Sequence, residues 1–181
     1  MKRLFFIFTM ICVFMISVCA YSVSVAENLE NSLIRLHIIA QSNSDADQRI
    51  KLAVRDRVLA DTADIDISDT DRFVSVATGS ANTYLAQNNI PYRATAQFGK
   101  FRFPRKNYDG ITLPSGIYNG VRIVLGNGNG QNWWCVMYPP LCVSEKRSES
   151  ENQLKSILSP QTYDVITKKP ELRLWLLELM F

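Results

Sequence analysis

The sequence predicts an α+β fold in a single domain, with an early strand, two helices, a mostly antiparallel β-meander and C-terminal helices. Three patterns carry that expectation. Residues 33–40 form an apolar run with strand alternation, residues 45–60 and 69–87 keep helical spacing, and residues 92–137 return to alternation. In the first run Ile34, Leu36 and Ile38 share one face, and Leu33, Arg35, His37 and Ile39 share the other. So little polarity on either side describes a strand nearly buried on both faces. Gln41-Ser42-Asn43-Ser44 then reads as a turn that supplies a helix N-cap.

For the first helix, Ser44 is the expected cap, and Asp45 and Asp47 suit the positive end of the helix dipole. Ile50, Val54 and Val58 make its apolar stripe with Ala53 beside it, and Asp47 and Lys51 are spaced as an i,i+4 ion pair. Residues 61–68 are a polar connection. Asp69-Thr70-Asp71 opens the second helix, whose Gly79 is expected to permit close packing, and Asn88-Asn89-Ile90-Pro91 ends it. Residues 92–103 alternate again until Pro104, and residues 105–115 read as a loop with Tyr108-Asp109-Gly110 and Leu113-Pro114-Ser115-Gly116 as turn signals. Residues 117–125 and 131–137 read as strands joined by a tight hairpin at Gly126-Asn127-Gly128-Asn129-Gly130. A charged helix start follows at 144–151, continuing at 153–158 until Pro160, and Pro170 opens a final mostly buried helix over 171–181.

The N-terminus has the make-up of an export signal: Lys2 and Arg3, an apolar block over residues 4–20, then small residues. Cleavage after Ala26 fits, with Ser24 and Ala26 as the small pair; cleavage after Ala20 and an uncleaved anchor are the alternatives. Residues 1–26 are therefore read as signal peptide or anchor, and residues 27–181 as a mature extracytoplasmic domain. Lys2 and Arg3 belong to the signal, so the remaining 18 Lys+Arg nearly balance 17 Asp+Glu. That balance gives no reason to expect nucleic acid, or membrane contact beyond the N-terminal segment.

The densest segment is Asn132-Trp133-Trp134-Cys135-Val136-Met137-Tyr138-Pro139-Pro140-Leu141-Cys142. Adjacent strand side chains point to opposite faces, so one Trp can enter a core while the other looks outward. Cys135 and Cys142 are the two cysteines outside the signal, and in an exported chain they read as a disulfide or as two buried free thiols. No catalytic group, metal or cofactor is expected. His37 is the sole histidine, which leaves a Cys135–His37 nucleophilic pair as the sharpest enzymatic alternative. Asp45 to Asp71 include many carboxylates but not the Gly and terminal Glu of a calcium loop. The three spaced glycines lead into a strand, whereas a dinucleotide loop opens a helix.

Four segments resemble the stage II sporulation protein R family. They are Arg35-Leu36-His37-Ile38-Ile39-Ala40 with the turn after it and Lys51-x-x-Val54-Arg55-Asp56; Phe103-Pro104-x-x-x-Tyr108; Leu113-Pro114-x-Gly116-x-Tyr118; and the glycine loop running into Trp133-Trp134-Cys135 and Pro139-Pro140-Leu141-Cys142. Gln41 stands where the family more usually has Asn, and 61–71 matches poorly. The resemblance implies a messenger of endospore formation rather than an enzyme. Such a protein is exported from the forespore into the space between the two compartments. There it activates a membrane-embedded aspartic protease that processes pro-sigma-E. The expected partner contacts are Trp133, Trp134, Tyr138, Pro139 and Pro140, with Arg35, His37, Arg55 and Asp56 behind them. A cell-wall hydrolase or a wall-binding module is the alternative.

Overall fold

The computed structural model describes residues 1–66, 68–141 and 147–168. The expectations for Cys142, for the helix start at 144–146 and for 171–181 lie outside these. The class is α+β, as the sequence predicts, and the chain divides into two compact units.

The first unit comprises Met1–Ser32, Arg102–Ile117 and the chain from Ser148. Its α1 spans Lys2–Ser32 as one continuous helix through Ala20 and Ala26. The polar lead expected at 27–32 is thus the helix's last two turns. The reason lies in that end of α1. Val25 and Leu29 are buried, Asn28 Oδ1 accepts the Ser159 N–H at 3.0 Å, and Ser32 Oγ donates to the Ile157 carbonyl at 3.4 Å. The outer part, from Leu4 to Ile16, is exposed and apolar, and the helix is long and apolar enough to cross a membrane.

The expected loop at 105–115 is a small hairpin of β3 (Lys106–Tyr108) and β4 (Ile111–Leu113). Asp109 and Gly110 both take positive φ (46° and 95°), the geometry of a tight two-residue turn that suits the strand twist. The turn was legible; the three-residue strands were too short to show alternation. Beyond α4 (Arg147–Ile157), Pro160 starts a helix as well as ending one. It is the first residue of α5 (Pro160–Thr167), where its missing N–H costs nothing, and Ser159 caps the helix by accepting from Thr162 N.

The second unit, Leu33–Phe101 with Tyr118–Arg147, holds the main sheet. Its strands are β1 (Ile34–Ile39), β2 (Ala94–Phe103), β5 (Gly116–Leu125) and β6 (Asn132–Tyr138), in the order β2-β5-β1-β6. β1 runs parallel to β5 and antiparallel to β6. The hairpin expected between 117–125 and 131–137 is therefore corrected: β1 lies between its two arms. Glycines mark where a chain turns, not whether the returning strand lands beside the outgoing one or one place further. The loop crosses the end of β1 and is bonded there, by Gly130 N to Ala40 O at 2.9 Å and Asn129 N to Gln41 O at 3.2 Å. A Cβ on Gly130 would collide with the Ser42 carbonyl, and Gly126 and Gly128 have positive φ. Close approach and left-handed backbone are both conditions only glycine meets cheaply.

α2 (Asp45–Asp61) and α3 (Thr70–Gln87) pack on one face of this sheet. Ser44 caps α2 through Asp47 N, and Asp69 caps α3 through Arg72 N. Val54, Val58, Phe73, Ala77, Ala81 and Leu85 meet Leu36, Ile38, Val121, Ile123, Leu125 and Cys135 in one core. Fully buried Leu and Ile side chains of this kind each contribute about 1.5–3 kcal/mol. The expected Asp47–Lys51 pair does not form. Lys51 turns inward and donates to Gln48 Oε1 at 2.6 Å and to the Gln131 carbonyl at 3.1 Å, while Asp47 accepts from Ser42 Oγ and from Tyr92 at 2.7 Å. Burial lowers the Lys51 pKa, with Arg55 nearby adding to it, and the Ser42 bond holds the Asp47 carboxyl below its usual range. Lys51 thus ties α2 to the end of the glycine loop, and Asp47 ties its first turn to Ser42 and Tyr92. Gly79 is exposed and a Cβ there meets nothing within 4 Å, so it is not a packing glycine.

The two kinds of glycine predict substitutions of opposite sign. Gly79→Ala should raise stability by about 0.5–1 kcal/mol, and Gly130→Ala should lower it by about 1–3 kcal/mol, both read from denaturant midpoints. A stabilised Gly130→Ala protein would contradict the loop packing described here.

Candidate functional site

The β1–β6 register decides where the densest segment points. Leu36 faces Cys135, His37 faces Trp134, and Ile38 faces Trp133. The two tryptophans therefore lie on opposite faces, as strand alternation predicts, and both are half-buried. Trp133 packs against the helix-side core, with the Arg55 guanidinium 5.0 Å from its ring centroid. Arg55 also pairs with the exposed Asp56 at 2.7 Å, a surface ion pair of small worth.

The opposite face carries neither α2 nor α3. His37, 7% exposed, stacks on Trp134 with centroids 3.7 Å apart and planes 22° from parallel. Its Nε2 donates to Asn132 Oδ1 at 2.8 Å, so that nitrogen holds the ring proton. Burial lowers the His37 pKa; the Asn132 bond opposes this and the Arg122 charge adds to it. Arg122 is beside His37 in the β1–β5 register. Its guanidinium lies 4.4 Å from the Phe101 centroid, and the Gln97 amide oxygen accepts from it, at 3.0 Å for Nε. Further along the same face Arg35 is fully buried, 4.8 Å from the Tyr118 ring. The four strands contain no Asp or Glu, against Arg35, Lys100, Arg102 and Arg122.

The expected contact residues do not make one patch. Trp134, His37 and Arg35 share the face opposite α2 and α3, whereas Trp133, Arg55 and Asp56 lie on the α2 and α3 side. Tyr138, 39% exposed, stands opposite Ile34, past a register shift between Ile34 and Arg35. The Tyr138–Pro139 peptide is cis; Pro139 is buried and Pro140 half-buried, so Tyr138 is the accessible member of that run. Arg122, Phe101, Gln97 and Asn132 were missed. Their signal was present in the sequence as strands without acidic residues, but placing them on one face needed the strand order.

A Cys135–His37 nucleophilic pair is not available in this geometry. Cys135 belongs to the helix-side core and His37 to the other face, and the His37 Nε2 proton is committed to Asn132. Among the described residues no three His, Cys, Asp or Glu side chains cluster as a metal site would require.

These features define an α+β protein with an N-terminal helix long and apolar enough to cross a membrane and a four-stranded mixed sheet. The family described as stage II sporulation protein R matches residues 30–148. A stage II sporulation protein R from Bacillus subtilis (strain 168) is 33% identical over 150 residues, covering 76% of this chain and 67% of that protein. The chain belongs to the stage II sporulation protein R family, and its role is in sporulation. No solved structure matches it.

The His37 environment predicts a pH dependence. The unfolded imidazole protonates near 6.5 and the folded ring only at lower pH. Between the two the unfolded state binds more protons, so stability falls as pH drops below about 6.5 and levels off once the folded ring is also charged. Denaturant midpoints across this range should show the decline in the native protein and lose that component in His37→Gln. A midpoint that rises as pH falls through 6.5 would contradict a buried neutral His37.

Proposed function

We propose that this chain is an intercompartmental messenger of endospore formation. In this reading it leaves the forespore by way of α1. Its folded part meets the extracytoplasmic part of a membrane-embedded aspartic protease and activates processing of pro-sigma-E. Cys135 and Cys142 form a disulfide that braces the end of β6 in the oxidising space outside the cytosol. Binding shifts the protease toward its active arrangement by preferring that state, with no bond made or broken by the messenger.

The observation that carries this reading is the Trp134–His37 stack on the sheet face opposite α2 and α3, in a chain of this family. A half-buried aromatic fixed by a neighbouring ring is a preorganised anchor, since little side-chain freedom remains to be lost on binding. The apolar α1 supports an exported or anchored location.

The test is reconstitution of the full chain with the membrane protease and its pro-protein, scored for cleavage. The native chain should stimulate cleavage. Trp134→Ala should cost about 2 kcal/mol of partner binding, on the order of 30-fold, while Trp133→Ala should act mainly through stability because that ring sits against the core. Full activation by a folded Trp134→Ala protein would remove the anchor, and no stimulation by the native chain would remove the function.

A further inference from the structure

We infer that the sheet face opposite α2 and α3, around Arg122, docks an acidic polypeptide segment, one carboxylate of which pairs with the Arg122 guanidinium. Arg122 is half-buried, and among the described residues it has no carboxylate partner. Its contacts are the Gln97 amide and the Phe101 ring, both neutral. His37 beside it is kept neutral, and no strand of the sheet supplies an acid. A guanidinium held in place by neutral neighbours is a fixed positive charge awaiting an anion. A carboxylate meets it with paired, charge-assisted hydrogen bonds.

The shape of the site selects a polypeptide over a small anion. Phe101 and Gln97 lie on β2, Arg122 on β5, His37 on β1, and Trp134 and Asn132 on β6. The site thus crosses the sheet, about 14 Å from first strand to last at the usual strand spacing. Arg122 and His37, on the two inner strands, lie between a ring and an amide on β2 and another ring and amide on β6. A phosphate would call for several converging cations. An extended segment of four or five residues spans the distance, with a carboxylate at its centre and apolar or planar groups flanking it. This deepens the protease-activator reading and rests on it for the partner's identity, but not for the partner's chemistry.

The experiment places a benzophenone amino acid at Thr95, an exposed residue of β2 on the face opposite α2 and α3, or at Thr83, exposed on α3, in the full chain within sporulating cells. After irradiation the joined segment is sequenced. The Thr95 probe should capture a segment containing Asp or Glu. Its yield should fall at least fivefold in Arg122→Gln, with the thermal midpoint kept, and recover in part in Arg122→Lys. A yield unchanged by Arg122→Gln overturns the inference. So does a captured segment without acids, capture from Thr83 instead of Thr95, or no capture at all. If Arg122→Gln lowers the thermal midpoint, the native chain decides. Capture in membranes should fall as salt rises from about 0.05 M to about 0.5 M, and capture indifferent to salt overturns the inference. An acidic segment from a protein other than the membrane protease leaves the docking face standing and removes the proposed function.

Discussion

The second unit depends on one constraint: β1 is hydrogen-bonded on both sides, parallel to β5 and antiparallel to β6. A strand in that position has no free edge, and Leu36, His37 and Ile38 are all buried. Register has a period of two, so a slip by one residue would exchange His37 for Leu36 and Trp134 for Trp133. The large apolar residues of one face and the polar ones of the other forbid that slip. The glycine loop adds a second lock, because it is bonded to the end of β1 and admits no side chain at Gly130.

Much of this was legible in the chain itself. The double-sided burial of 33–40, the caps at Ser44 and Asp69, and the separation of Trp133 from Trp134 follow from local chemistry and strand parity. The neighbour of β6 did not. Gly126, Gly128 and Gly130 supply the backbone freedom of a turn, and the same freedom serves a two-residue reversal or a passage over an intervening strand. Lys51 was misread for a related reason. Its spacing from Asp47 suggests a surface pair, but the Gln131 carbonyl that draws it inward is contributed by a segment 80 residues away. Pro160 ends one helix and begins the next, a double role that Ser159 as a cap could have disclosed.

The site was legible residue by residue and not as a surface. Trp134, His37 and Arg35 were singled out and do share a face, but Arg55 and Asp56 fall on the other. The unforeseen member is Arg122, whose neighbours come from the strands on either side of it, β2 and β1. Its setting illustrates how a sheet without acids holds a cation: an aromatic ring and an amide replace a counter-ion, at about 0.5–1 kcal/mol for an exposed ring contact. The same face keeps His37 uncharged. Stacking, desolvation and the nearby guanidinium all act in the direction of a rigid, positively charged but weakly hydrated surface.

Hydrogen exchange of the individual sheet amides tests the central placement of β1 most directly. With β1 paired on both sides, the Leu36 and Ile38 amides should exchange only through global unfolding, as slowly as the slowest amides of β5. Fast exchange along β1, with β5 and β6 still protecting each other as a closed pair, would contradict the account.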